Sequence, residues 1–330
     1  MSELKKILVG VDLLQSRRGN LSAPVMEATK QALGLAERVS GEVMFLAAIE
    51  LPDDGDLYSP LLNRRRIAGE IETSAREALK KLVEQATARG VRATSKFAHG
   101  RGWIELTREA VTGQHDLVIV GSRHSGTMHR MLFGSTAIKL LHNCPSPVWV
   151  AKPEPHPSPA NLLVASDFSE ASTEALRLAL LLASGTGAKV HLIHVLERPY
   201  IDLWEAGLFE APHEELSHAE DGGVAESRLK EQLSQVGQAV GPSVEISVVE
   251  YPSVADFGIL QYIGDHQIDL LLLGTTARRG IAGFFLGNTA ERLLTTLPCS
   301  LVAVKPAGFV CPVRLEPHPS AATSLVLGLD

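Results

Sequence analysis

The chain repeats itself. The stretch KKILVGVD (5–12) returns as NLLVASDFSE (161–170), in each case a short apolar run followed by an aspartate, Asp12 or Asp167. HDLVIVGSRHSG (115–126) returns as IDLLLLGTTARRG (268–280), and FGSTAIKLLHNCPSPVWVAKP (133–153) as LGNTAERLLTTLPCSLVAVKP (286–306). From Gly121 to Gly274, and from Lys152 to Lys305, the step is the same 153 residues. Three matched stretches in one order mark a duplicated domain, so a fold assigned to one half must also serve the other. With 330 residues, the chain has the length for two ordinary domains and two cores.

Each half alternates short, nearly continuous runs of Val, Leu and Ile with helical patterns. Such runs are expected of strands covered on both faces. They predict strands at 5–11, 42–49, 93–97, 117–121 and 147–151, and again at 161–165, 189–195, 244–249, 270–274 and 300–304. Helices are predicted between them, at 171–185, 217–240, 254–266 and 287–296 in the second half. Alternation of this length builds right-handed βαβ units, giving two tandem α/β domains, each an open five-stranded parallel sheet of Rossmann-like kind. The domains are expected at 1–153 and 161–306. The linker at 154–160 lies within KPEPHPSPA, whose alternate prolines forbid a helix and favour a stiff extended spacer. The tail, 307–330, has no clear periodicity, and its last dozen residues are expected to be mobile. Two longer connections, 50–63 and 197–216, follow the second strand of each half, and the latter carries Tyr200, Trp204, Leu208 and Phe209. Folding back over the core or capping an interface is the ordinary use of such a set.

The net charge of −7, without a long basic run, argues against binding nucleic acid through phosphate neutralisation. The N-terminal MSELKKILVGVD lacks the apolar stretch and cleavage site of a signal peptide, and no apolar run is long enough to span a membrane. Three cysteines, Cys144, Cys299 and Cys311, form no CxxC. A reducing, cytoplasmic setting is expected.

The chemistry gathers after the fourth strand of each half. Gly121 and Gly274 free the backbone to turn, and a helix begins about a dozen residues later with Gly134-Ser135-Thr136 or Gly287-Asn288-Thr289. Unpaired amides at a helix start attract an anion, and these triplets offer close backbone approach together with a side-chain cap. Arg278 and Arg279, or Arg123 and Arg130, supply charge. Asp12 and Asp167 bring carboxylates able to accept from an adenine amino group or a ribose hydroxyl. A mononucleotide site in each half is the natural expectation. Other chemistry falls away. His191 and His194 are three apart on a strand and point to opposite faces. His124 and His129 have no carboxylate or thiol beside them in their loop, and DDGD (53–56) lacks calcium-loop spacing. The stretch 121–127 mimics a Walker A spacing without its lysine. No GxSxG elbow or nucleophile triad is present. Cys144 and Cys299 read as buried structural thiols.

The order of strand–Asp, strand–"HV" and G-x2-G-x9-G-[ST] ahead of "CPVLVVKP"-like text resembles the universal stress protein family. The resemblance covers both halves, roughly 5–153 and 161–306, and GFFLGNTAERLL with the CPVRLE tail is similar to bacterial E-type tandem members. It implies an adenine nucleotide alpha hydrolase-like domain in each half and, from one branch of the family, ATP or AMP as ligand. It also implies a pseudo-dimer in which the last strands, Val148–Val150 and Leu301–Val304, pair antiparallel within the chain. A homodimer is a further possibility. Carried over residue by residue, the motif falls on Asp167, Val195, Gly274, Ala277, Arg278, Gly287, Asn288 and Thr289 in the second half. In the first half it falls on Asp12, Ala48, Gly121, His124, Gly134, Ser135 and Thr136. Ala277 and His124 stand where the motif has its second glycine, and Asn288 where it has Ser or Thr. A Cβ at a position needing positive φ costs on the order of 1 kcal/mol. Three functions stay open: a nucleotide-responsive interaction protein, a scaffold with eroded ATP loops acting only through its surfaces or another small ligand, and a slow ATPase. With no acid/base or nucleophile constellation, a dedicated enzyme is not expected.

Overall fold

The computed structural model describes residues 4–13, 21–50, 61–122, 133–153, 158–198, 221–237, 242–275, 286–315 and 326–327; the side chains of 61–68 and 326–327 are not described. The chain divides into two compact units, one holding the described residues up to 153 together with 310–315 and 326–327, the other holding 158–309.

In the first unit the order is β1 (Lys6–Gly10), α1 (Ala23–Val39), β2 (Glu42–Ile49), α2 (Leu61–Ala88), β3 (Arg92–His99), α3 (Gly102–Thr112), β4 (Leu117–Gly121), α4 (Ser135–Asn143) and β5 (Val148–Ala151). Its strands pair in parallel in the order β3-β2-β1-β4-β5. The second unit repeats the plan with β6 (Asn161–Ala165), α5 (Glu170–Ala183), β7 (Lys189–Glu197), α6 (Gly222–Val236), β8 (Val244–Tyr251), α7 (Ala255–Asp265), β9 (Leu270–Gly274), α8 (Asn288–Leu293) and β10 (Ser300–Val304). The order here is β8-β7-β6-β9-β10, again all parallel. The central strands are buried along almost their whole length because both faces carry helices. Their sequences, ILVG, LVIVG, LLVA and LLLLG, are continuous rather than alternating for that reason.

The duplication extends to structural details. Asp116 Oδ2 accepts from the backbone N–H groups of Lys5 and Lys6, and its repeat counterpart Asp269 accepts through Oδ2 from Ala160 and Asn161. Each aspartate fastens the start of the first strand in its unit. The contact between third and fourth helices is also repeated, with changed chemistry. Lys139 Nζ stands 5.6 Å from the Trp103 ring in the first unit, while Arg292 Nε donates to Asp256 Oδ1 at 2.7 Å in the second. Cys144 and Cys299 are buried and Cys311 is half-buried.

The tail differs from expectation. Val326–Leu327 (β11) pair antiparallel with Ser95 and Lys96 of β3, adding a short strand to the first unit's edge. Arg108 Nε also donates to Arg314 O at 3.3 Å. Two residues carry no periodicity, so only the waiting edge of β3 makes them a strand.

Candidate functional site

In both units the first strand lies between the second and fourth, β1 between β2 and β4, β6 between β7 and β9. The chain leaves these adjacent strands towards opposite sides, which opens a crevice at their carboxyl ends. In the second unit this crevice is a cavity of about 340 Å³. Asp167 and Ser166 reach it from the end of β6, His194, Val195 and Glu197 from β7, Ile259 from α7, and Gly274 from β9; Leu286, Gly287, Asn288, Thr289 and Ala290 complete its wall.

The loop bearing Asp167 is tightly held. Asp167 Oδ1 accepts from Ser169 N at 3.0 Å and Ser169 Oγ at 2.5 Å, while Ser169 Oγ caps α5 by accepting from Ser172 N. Between them Phe168 sits at φ 61, a left-handed conformation that a bulky residue seldom adopts. What holds it there is visible on every side. Phe168 N donates to Ser166 Oγ, its ring lies 4.3 Å from that of His194, and the Arg228 guanidinium stands 3.8 Å from its centroid. Ser166 Oγ in turn donates to Gln232 Oε1, and Gln232 Nε2 donates to Ser172 and Thr173, a buried network tying the loop to α5 and α6. His194 Nδ1 donates to Ser166 O at 2.8 Å, which fixes its tautomer. Glu197 Oε1 accepts from Ala255 N at 2.8 Å and so caps α7, whose own N-cap residue, Val254, makes no side-chain cap. Ser166 and Glu197 carry no signal in the sequence, and His194 enters there only as a rejected metal ligand. Only the "HV" beside Val195 hinted at His194.

The helix starts correct one expectation. Gly134 and Gly287 themselves occupy the N-cap positions of α4 and α8, and neither helix has a side-chain cap. Ser135 and Asn288 are already inside the first turn, where a side chain no longer reaches the orphan amides. The two N-cap glycines also differ. Gly287 has φ 97, a conformation for glycine, whereas Gly134 at φ −68 suits any residue.

The strand-end glycines have a second role. A Cβ on Gly274 would stand 2.6 Å from Ala171 C and 2.8 Å from Ser172 Cα, against the first turn of α5. A Cβ on Gly121 would meet the Pro24 carbonyl and stand 2.5 Å from Pro24 Cβ, in the first turn of α1. Both are required by helix–strand packing whether or not a ligand is present. In the first unit Asp12 is exposed beyond β1, Ala48 is half-buried in β2, Ser135 is exposed and Thr136 half-buried. Leu106 Cδ1 and Val120 Cγ1 lie 2.8 Å from where a Cβ on Gly10 would stand; the second unit has Ala165 at the corresponding place, lining the cavity. Ala277, Arg278, Arg279, Arg123, His124, His129 and Arg130 lie outside the described residues, as do Tyr200, Trp204, Leu208 and Phe209. His191 and His194 have separate surroundings: His191 Nδ1 meets Tyr262 Oη at 3.0 Å, and burial, then Lys189, pushes its pKa down. Among the described residues no cluster of His, Cys, Asp or Glu is placed to hold a metal, and no helix is long and apolar enough to cross a membrane.

A model of the Universal stress protein family matches residues 3–152 and 160–305. The chain belongs to the universal stress protein family. Its two family domains follow in tandem, and its curated relatives share that name. Universal stress protein E of Escherichia coli K12 is 29% identical over 229 residues, covering 66% of this chain and 69% of the relative. The Photorhabdus laumondii protein of the same name is 26% identical over 234 residues, with coverage of 66% and 69%. Among solved structures, a universal stress protein from Archaeoglobus fulgidus superposes with a TM-score of 0.64 at 19% identity, covering 91% of this chain and 98% of that one. A functionally unknown protein from Pseudomonas aeruginosa PAO1 gives 0.61 at 18% identity, covering 92% and 93%. At such identities the structural likeness speaks for the fold alone.

Proposed function

We propose that this tandem universal stress protein is a nucleotide-responsive interaction protein whose second repeat binds an adenine nucleotide, ATP or AMP. The observation that carries this reading is the convergence of Asp167, Val195, Gly274, Gly287, Asn288 and Thr289 on one cavity at the switch point of the sheet. Asp167 engages one carboxylate oxygen with Ser169, and the carboxylate keeps acceptor capacity for a ribose hydroxyl or adenine amino group. Val195 supplies apolar wall for the base. The positive φ of Gly287 lets the backbone ahead of α8 approach a phosphate. Occupancy then alters which partner the surface accepts, and hydrolysis, where it occurs, is incidental.

The scaffold reading is favoured for the first repeat by one observation, the ordinary φ of −68 at Gly134 where the second repeat has Gly287 at φ 97. On this view the first repeat is structural, and the two tandem domains form an intramolecular pair through their last strands. A cytoplasmic location belongs to the same reading and is supported by the odd count of three cysteines without a CxxC.

Calorimetric titration of the full chain with ATP and with AMP tests the ligand. Binding is expected, weakened about tenfold or more by Asp167→Ala, the loss appropriate to a hydrogen bond to a charged group. Absence of binding at millimolar nucleotide overturns the proposal.

A further inference from the structure

Each unit has an outer strand beyond the second one, β3 in the first and β8 in the second, and the two edges are finished differently. β3, RATSKFAH, carries Arg92 and Lys96 and is paired at Ser95 and Lys96 by β11. β8, VEISVVEY, pairs only with β7, and among the described residues nothing bonds to its outer side. It runs for eight residues without proline, lysine or glycine, and Val244, Ile246, Val248, Val249 and Tyr251 are β-branched or aromatic. Every residue along it is at least partly accessible. Natural proteins blunt, twist or cover such an edge because its unpaired N–H and C=O groups template a further strand.

The direction of those groups can be read from the ladder. Ser243 O accepts from Val190 N, and Tyr251 O accepts from Arg198 N. Odd-numbered positions therefore turn their backbone groups towards β7, leaving Val244, Ile246, Val248 and Glu250 to turn theirs outward.

We propose that β8 is a homodimerisation edge, pairing antiparallel with β8 of a second copy about a two-fold axis. A two-fold across an edge brings identical strands together antiparallel, so one strand must complement itself. The charges of β8 satisfy that condition. Glu245 and Glu250 are five residues apart and lie on opposite faces, whereas residues directly opposed in an antiparallel pair share a face. No two-fold register can set Glu245 against Glu250, and only an axis through one of them sets a glutamate against its own copy. Centring the axis on Ser247 or Val248 places Glu245 across from Val249 or Tyr251, and Glu250 across from Val244 or Ile246. Each glutamate also has a cation beside it, Glu245 paired with Lys189 of β7 and Glu250 with Arg198 just beyond it. Beside the edge, Val224 on α6 and Phe257 on α7 are each 52% exposed, on the two helices that pack against β7 and β8. They offer apolar area next to the hydrogen-bonded seam.

The test is the oligomeric state of the full chain, by sedimentation velocity and light scattering, up to about 100 µM, well above the range where a specific dimer forms. The wild type is expected to be a dimer. Val248→Pro removes an outward N–H while leaving the donors to β7 in place, and Val248→Lys sets a charge on the edge without altering the backbone. Both variants are expected to weaken dimerisation at least tenfold, with circular dichroism confirming the fold; should the proline variant fail to fold, the lysine variant alone decides. A monomeric wild type, or a dimer that persists in the folded variants, overturns the assignment.

Discussion

Gly274 illustrates how one residue can satisfy two explanations. Its place after a buried strand is what a phosphate loop needs, yet its missing Cβ is already spent on the first turn of α5. Gly287 is different: its φ of 97 is a backbone requirement at the head of α8, beside the cavity. Substitution separates the two roles. Gly274→Ala is expected to cost about 2–3 kcal/mol, since a backbone neighbour cannot yield as a side chain would. Gly287→Ala should cost about 1 kcal/mol in stability but reduce nucleotide affinity. Denaturant melts and titrations on the two variants check this, and equal loss of stability from both would refute the distinction. The sequence signal, glycine after an apolar run, is identical whether its close neighbour is a phosphate or a helix. The need for glycine was therefore legible, and its cause was not.

Elements were legible where burial on two faces produced continuous apolar runs, and much less so where one element is fixed by another. α3 shows the limit. Glu109 is buried between His115, whose Nε2 lies 3.5 Å away, and Lys96 of β3, whose Nζ donates to it at 2.7 Å. The His115 imidazole first, and Lys96 after it, hold the Glu109 carboxyl down to about 2 against the opposing effect of burial. These residues lie on β3, on α3 and in the turn after it, and share no common periodicity. β11 escaped for the same reason, as did the Ser166–Gln232 network that holds the Asp167 loop. The sign of the pH effect follows from the lowered value. Ionised Glu109 stabilises the fold above the ordinary carboxyl pKa, and that stability is lost as pH falls from about 4.5 towards 2. The loss is on the order of 2–3 kcal/mol. Glu109→Gln should therefore lower stability at neutral pH and flatten this acid limb, measured by urea melts at stepped pH; an unchanged limb would remove the carboxylate from the account.

At the scale of the molecule, duplication supplied two copies of one crevice and divergence treated them differently. In the second repeat Ala165, Ile259 and Leu273 line a cavity, with Asp167 at its rim. In the first, Gly10 takes the place of Ala165, with Leu106 and Val120 packed where a Cβ would stand, and the N-cap glycine of α4 has an ordinary φ of −68. A nucleotide should accordingly stabilise the chain through the second repeat only. At a hundredfold excess over Kd, a ligand that binds only the folded state adds about 2.7 kcal/mol, enough for a shift of several degrees in the melting transition of a domain this size. Thermal melts with and without ATP, on wild type, Asp12→Ala and Asp167→Ala, read this directly. Asp12→Ala should retain the shift, and Asp167→Ala, with its tenfold or greater loss of affinity, should give up half of it or more. The opposite pattern would move the site to the first repeat, and loss in both would mean that the two repeats share the ligand. The comparison isolates divergence itself, because the two aspartates occupy the same place in the repeat and differ only in what the rest of each half has built around them.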